Sequence, residues 1–318
     1  MAAYNICLDI GGTKVLGAIF NENKEIIYRL KKKSKEGGDS TENVEQVIIA
    51  VVEEMIRESG IDKKAIHAIA AGMPGVVNQK TGIVLFCPNL PFKNYDLKSV
   101  IEKRFGVPFY LGNDVNVGVL GEYVYGAAKG YKNVVGLFPG TGLGGGLILD
   151  GKLYTGTDHK AGECGHIVVQ PDGPLCGCGQ RGCLEAFSSK TGMSNYIREQ
   201  VGRGRVSMMA DAVADGVFKS KKLKKALNAG DVVAMEAVER ACHYLAIGSG
   251  AMINIFSPDV IIYGGGVMEA MGDYFLERIL KEVDRYCMPS IRNTVELKKA
   301  ALGDDSNIYG ALAMIEGY

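Results

Sequence analysis

The sequence predicts an α/β protein built as two domains with a cleft between them. Short β-branched runs alternate with helical patterns along the chain. The strand–Gly-Thr–strand signature beginning at Asp9 returns after Asn133, roughly 130 residues later, and marks an internal duplication. The 318 residues are 47% apolar and 23% charged, enough to build two cores of ordinary globular composition.

The elements follow in order. Tyr4 to Leu8 is apolar and meets Asp9-Ile10-Gly11-Gly12-Thr13-Lys14. Val15 to Phe20 resumes the apolar character, Asn21 to Lys24 is a turn, and Glu25 to Leu30 is a third strand. Thr41 to Ser59 places Val44, Val47, Ile48, Val51, Val52, Met55 and Ile56 on one helical face. Ile66 to Ala71 and Pro108 to Leu111 read as short buried strands. The second ends at Gly112-Asn113-Asp114, ahead of a helix from Val115 to Tyr125. The pattern then restarts with a strand from Asn133 to Phe138, a glycine turn from Pro139 to Gly146, and a strand from Leu147 to Leu149 closed by Asp150-Gly151. Asp231 to Phe256 carries a long helical pattern that Pro258 stops. Val260 to Tyr263 runs into Gly264-Gly265-Gly266, and a last helix spans Ile308 to Ile315.

Charge and composition exclude some functions. Lys plus Arg, 36, equals Asp plus Glu, 36, so there is no basic surplus for a sequence-independent grip on nucleic acid. The run Lys31-Lys32-Lys33 reads as a solvated strand end. No apolar run approaches the roughly 18–20 residues of a membrane helix, and no charged and apolar leader opens the chain. The expectation is a cytoplasmic protein with no membrane or nucleic-acid partner. In that reducing setting the crowding of Cys176, Cys178 and Cys183 suggests a metal more than a disulfide.

Three glycine clusters directly follow buried strands. Phosphate needs converging backbone N–H groups with no side chain in the way, and glycine supplies close approach and positive φ. Gly11-Gly12-Thr13 fits, with Lys14 adding charge and Asp9 able to hold Mg²⁺ through water. Gly140-Thr141-Gly142 is a second such turn. Gly264-Gly265-Gly266 offers bare backbone for adenine and ribose. Taken singly each is a weak signal and a Gly-Gly-Thr turn reads first as a plain hairpin; three together after buried strands point to phosphate, and none is a P-loop. Asn113 and Asp114 read either as a helix N-cap or as a sugar-hydroxyl partner and a general base for phosphoryl transfer. Cys176, Cys178 and Cys183 supply three thiols for tetrahedral zinc, with His166 the nearest fourth ligand and His159 its rival. Four protein ligands make such a site structural. Its expected job is to fix the loop carrying Glu163 and Glu185, which read as acceptors for sugar hydroxyls or as plain surface charge.

Taken together, Asp9-Ile10-Gly11-Gly12-Thr13-Lys14, Asn113-Asp114-x-Asn116, Gly162-Glu163-Cys164-Gly165-His166 and Cys176-Gly-Cys-Gly-Gln-Arg-Gly-Cys-Leu-Glu185 resemble the ROK family (repressors, open reading frames and sugar kinases) of the actin-like ATPase superfamily. The resemblance covers nearly the whole chain. It implies two actin-like (ribonuclease H-like) domains. The smaller would be 1–118 completed by the helix 306–318, and the larger 119–305 with the zinc knuckle. It implies Asp114 as base and Asn89, Asn113, Glu163, His166 and Glu185 facing a sugar. ATP would lie on Gly12-Thr13, Thr141-Gly142 and Gly265-Gly266. A structural Zn²⁺ would be held by His166, Cys176, Cys178 and Cys183. The implied activity is ATP-dependent phosphorylation of a hexose, glucose at its 6-hydroxyl first among them, by a homodimer or homotetramer. The alternatives are another hexose, an N-acetylhexosamine, or a sugar-responsive regulator. Cys164, Pro139, and the Val115, Val117, Gly118 and Val119 start of the helix depart from the usual family pattern.

Overall fold

A computed structural model describes residues 3–214 and 216–318. The chain first lays down β1 (Tyr4–Ile10), β2 (Lys14–Phe20), β3 (Ile26–Lys33), α1 (Thr41–Ser59), β4 (Ile66–Met73), β5 (Val76–Asn78), β6 (Ile83–Phe86), β7 (Lys93–Asp96), α2 (Leu97–Phe105), β8 (Phe109–Asn113) and α3 (Asp114–Val124). Then come β9 (Val134–Pro139), β10 (Leu143–Leu149), β11 (Lys152–Leu153), α4 (Glu185–Ser188), α5 (Lys190–Gly202), α6 (Ala210–Ala214), α7 (Ser220–Asn228) and α8 (Val232–Phe256). The last are β12 (Val260–Tyr263), α9 (Gly265–Glu282), α10 (Pro289–Arg292), β13 (Glu296–Lys299) and α11 (Ser306–Ile315).

Two compact units result. The first is Met1–Lys129, Lys152–Ala161 and Asp305–Tyr318, and the second is Gly130–Gly151 and Gly162–Asp304. The boundary expected at 118/119 falls inside α3, so the first unit keeps that helix whole and runs on to Lys129.

In the first unit one sheet has the order β3-β2-β1-β4-β8. β1 pairs antiparallel with β2 and parallel with β4, and β8 continues parallel. Alternation along β1 sorts side chains to two faces. Ile6, Leu8 and Ile10 join the α1 residues Val44, Ile48, Val51, Val52 and Met55 in one core. Cys7 joins Ala18, Phe20 and Ala70 against Val117 of α3 and Ile308, Ala311 and Leu312 of α11. The edge strand β3 alternates half-buried and exposed residues, so its lysines cover an open edge. Ser40 caps α1, accepting from Asn43 N, and Gly60 at φ 72° ends it.

The helices α3 and α11 touch backbone to backbone. A Cβ at Gly121 would overlap the Ser306 carbonyl, and one at Gly310 would overlap the Val117 carbonyl. Glu122 lies fully buried beside this contact. Its carboxylate accepts from Ala127 N at 2.9 Å and from the Ser306 hydroxyl at 3.2 Å. Arg29 holds Asp305, just ahead of α11, in a two-pronged pair at 2.6 and 2.8 Å.

The second unit repeats the plan. β10, β9, β12 and β13 lie side by side in the order that β2, β1, β4 and β8 take in the first. β9 and β10 are antiparallel, and β12 and β13 run parallel to β9. Asp259 sets the register at the start of β12 by accepting from Lys132 N and Asn133 N at 2.9 and 2.8 Å. Asp231 caps α8, accepting from Ala234 N at 3.0 Å, and the helix carries Ala237, Ala241, Leu245 and Ile253 through the core. No described helix is long and apolar enough to cross a membrane.

The helix contact predicts a stability difference. Gly310→Val should destabilise the protein by about 1–3 kcal/mol or more, because a branched side chain forces the paired helix backbones away from each other. Gly202→Ala has open space within 4 Å and should be neutral or slightly stabilising. Urea denaturation of both variants checks this, and equal midpoints would contradict it.

Candidate functional site

The first unit gathers its polar residues at one edge of the sheet. Asp9 on β1 is in register with Gly72 on β4, and Gly72 with Gly112 on β8. Two strand spacings, about 10 Å, therefore separate Asp9 from the strand that ends at Asn113. Gly72 lies beneath the start of α3. A Cβ there would sit 3.5 Å from Asp114 Cα and 3.4 Å from Val117 Cβ. Asn307 donates to Asp9 Oδ1 at 2.9 Å and so orients that carboxylate.

The turn between β1 and β2 closes through Gly11 N to Lys14 O at 2.8 Å. Ser34 steadies it from outside: its N–H reaches Thr13 O at 3.0 Å and its hydroxyl donates to Gly11 O. Asn89 lies directly against Gly12, where an added Cβ would come within 2.8 Å of Asn89 Cβ. Neither Gly11 nor Gly12 has positive φ, nor do Gly140 and Gly142. The expectation that glycine gives these turns left-handed backbone is corrected. At Gly12 an added Cβ would overlap Asn89 Cβ, and at Gly142 it would displace the Glu185 carboxylate.

Asn113 and Asp114 take up the capping reading directly. Asn113 Oδ1 accepts from Val115 N and Asn116 N at 3.0 and 3.1 Å, and its amide donates to Gly75 O at 3.0 Å. One amide hydrogen remains for another acceptor. Asp114 Oδ1 accepts from Val115 N at 2.9 Å, which places a half-buried carboxylate in the first turn of α3, at its positive end.

In the second unit the turn Gly140 to Gly142 is held from below by the start of α5. Lys190 N donates to Gly140 O at 3.0 Å, and Thr191 binds Thr141 O through its N–H at 3.2 Å and its hydroxyl at 2.8 Å. Glu185 binds the far side. Its Oε2 accepts from Leu143 N at 2.8 Å, and its Oε1 lies 3.4 Å from the Cys176 thiol. A Cβ on Gly142 would run into that carboxylate.

The ligand atoms of His166, Cys176, Cys178 and Cys183 all lie within 4.8 Å of one another. Cys178 and Cys183 sulfurs are 3.7 Å apart, and Cys176 Sγ is 3.7 Å from His166 Nδ1. Tetrahedral zinc with Zn–S near 2.3 Å needs sulfur–sulfur edges of about 3.8 Å, so this donor set fits zinc. His159 is outside the cluster. The other imidazole nitrogen, His166 Nε2, faces Glu163 at 3.9 Å, the kind of outer partner that orients a metal-bound histidine. Cys164 is buried in the core beside Gly145, also outside the cluster, and burial lifts its thiol to about 11.

Gly264-Gly265-Gly266 links β12 to α9. Gly265 has φ +78°, where glycine is the natural residue. A Cβ on Gly264 would strike the Phe138 ring, and Ser220 holds Gly266 O at 2.8 Å. Beside α9 a cavity of about 300 Å³ is lined by Leu227, Ala270, Met271 and Lys299 among others. Sequence reasoning does not find these lining residues, Asn307 or Lys190. Each sits at an ordinary helical or strand position with no motif around it.

A model of the ROK family matches residues 5–317. A glucokinase of Thermotoga maritima is 36% identical over 313 residues, 98% of this chain and 96% of that protein. A ROK family glucokinase of Streptomyces griseus, solved with glucose and AMPPNP, superposes with a TM-score of 0.82 at 31% identity, covering 98% of this chain and 99% of that one. A putative xylose repressor of Caldicellulosiruptor is 29% identical over 98% of this chain and 77% of its own length. The ROK glucokinase structures have two actin-like ATPase-fold domains, and the repeated sheet order here is that architecture.

The thiols should differ in reactivity. Cys178 is exposed, and the N–H of Gln180 holds its thiol below the usual value, whereas burial raises Cys7, Cys164 and Cys242. In chelator-treated folded protein near neutral pH, iodoacetamide should label Cys178 first and those three only after unfolding. Peptide mass spectrometry reads the order, and early labelling of Cys164 would contradict it.

Proposed function

The chain belongs to the ROK family, and we propose on that premise that it transfers the terminal phosphate of ATP to glucose. It is an ATP-dependent sugar kinase. The observation that carries this reading is the near-full-length likeness to glucokinases, one of them solved with glucose and an ATP analogue.

The residues support a division of labour. Asp114 accepts the proton of the attacking 6-hydroxyl. In-line phosphoryl transfer asks the protein mainly for position and charge neutralisation. The N–H groups of Gly12 and Thr13, and those of Thr141 and Gly142, serve the phosphates, with Lys14 adding positive charge. Gly265 and Gly266 leave room for adenosine. Asp9, its Oδ1 steadied by Asn307, suits a water-mediated hold on Mg²⁺, which would neutralise phosphate charge. Asn89, the remaining amide hydrogen of Asn113, Glu163, His166 and the spare lone pairs of Glu185 serve the sugar hydroxyls. The thiol cluster suits a structural Zn²⁺ that fixes His166 and the loop ending at Glu185.

The likeness to xylose repressors favours a second reading, a sugar-responsive regulator. Sugar-dependent release of ADP from ATP separates the two, and its absence across a panel of hexoses and N-acetylhexosamines would remove the kinase reading.

Two variants test the assignments. Asp114→Asn should lower kcat by about 10²–10⁴-fold while glucose affinity, read by calorimetry, stays within a few-fold. Full turnover would take Asp114 out of the role. Cys183→Ala should lose the single zinc expected per chain by elemental analysis and raise the KM for glucose. Zinc-free protein with unchanged kinetics would detach the thiol cluster from the sugar.

A further inference from the structure

We propose that Lys190 is a further substrate-binding residue, its ammonium reaching the inner phosphates of the bound nucleotide. This rests on the kinase reading and adds a contact that the glycine motifs do not reveal.

Three observations place it. Lys190 is the first residue of α5, and its N–H bond to Gly140 O fixes its backbone against the second phosphate turn. Its side chain then extends to the other glycine cluster. Nζ and Cε lie 3.2 and 3.9 Å from where a Cβ on Gly266 would stand. One side chain thus spans from the phosphate turn to the bare backbone at the start of α9, along the line a nucleotide needs between its phosphates and its adenosine.

The third observation is electrostatic. The ammonium is half-buried, and loss of water lowers its pKa, while Asp304 and Glu269 favour its charge through space. It also stands against the first turn of α9, whose N-cap Gly264 contributes no side-chain cap. A cation at that end of a helix is on the disfavoured side of the dipole. An anion seated against the ammonium and those N–H groups offsets both the lost water and the dipole, and a phosphate suits a point charge such as lysine.

The test compares ligands with and without phosphate on the full chain. Calorimetry is run with ADP and with adenosine on wild type, Lys190→Met and Lys190→Arg. Lys190→Met keeps the length and removes the charge. It should weaken ADP by about tenfold or more, leave adenosine within twofold, and raise the KM for ATP without changing the KM for glucose. Lys190→Arg should restore most of the ADP affinity. Unchanged ADP binding in Lys190→Met would overturn the inference, and so would equal weakening of ADP and adenosine, which marks a lysine that only packs its methylenes on Gly266. Failure of the wild type itself to bind ADP would sink the kinase reading and this inference together.

Discussion

Bare backbone at the ends of the strands is the constraint on which both units are built. Chemistry on a phosphorylated ligand requires main-chain N–H groups and carboxylates to converge, and convergence leaves no room for Cβ atoms. Gly72 lets α3 begin directly over β4, so that Asp114 rises from the sheet edge that carries Asp9. Gly12 admits Asn89, and Gly142 admits the carboxylate of Glu185. At Gly12 and Gly142 an added methyl would displace one of those side chains, whereas at Gly72 it would lie in contact with α3. The cores beneath are conventional, and their job is to hold these ends still.

The same logic links two features that look separate in the sequence. Glu185 has one oxygen on Leu143 N, next to the turn Gly140 to Gly142, and the other beside the Cys176 thiol. Its position is therefore a joint property of the turn and the thiol cluster. His166 behaves similarly, with one ring nitrogen toward Cys176 and the other toward Glu163. The thiol cluster is thus joined to the turn through Glu185 and to Glu163 through His166.

Much of this is legible in the sequence wherever one local signal suffices. The helix Thr41–Ser59 is delimited by periodicity and a serine cap, and the long helix ending at Phe256 by Asp231 and Pro258. The duplication shows because each half places a glycine turn after its first apolar strand. The thiol cluster shows because three cysteines lie within eight residues. What stays hidden depends on distant segments meeting. Asn307 reaches Asp9 across almost the whole chain, and Lys190 acquires meaning only beside Gly266. The small β5-β6-β7 sheet escapes a sequence reading because its strands are three or four residues long, too short for alternation to register. The capping role of Asn113 and the chemistry proposed for Asp114 look like rivals in the sequence, and in the structure both residues take part in the cap, Asn113 through two N–H groups and Asp114 through one.

The packing of α11 against α3 also bears on synthesis. The amino-terminal unit has a core that stays open on one face until Ile308, Ala311 and Leu312 arrive, and these are translated only after the whole second unit. During emergence from the ribosome, Cys7, Phe20 and Val117 therefore wait uncovered while the later unit is free to fold around its own long helix. The unit begun first is completed last, and until then its sheet is the surface that chaperones would have to guard.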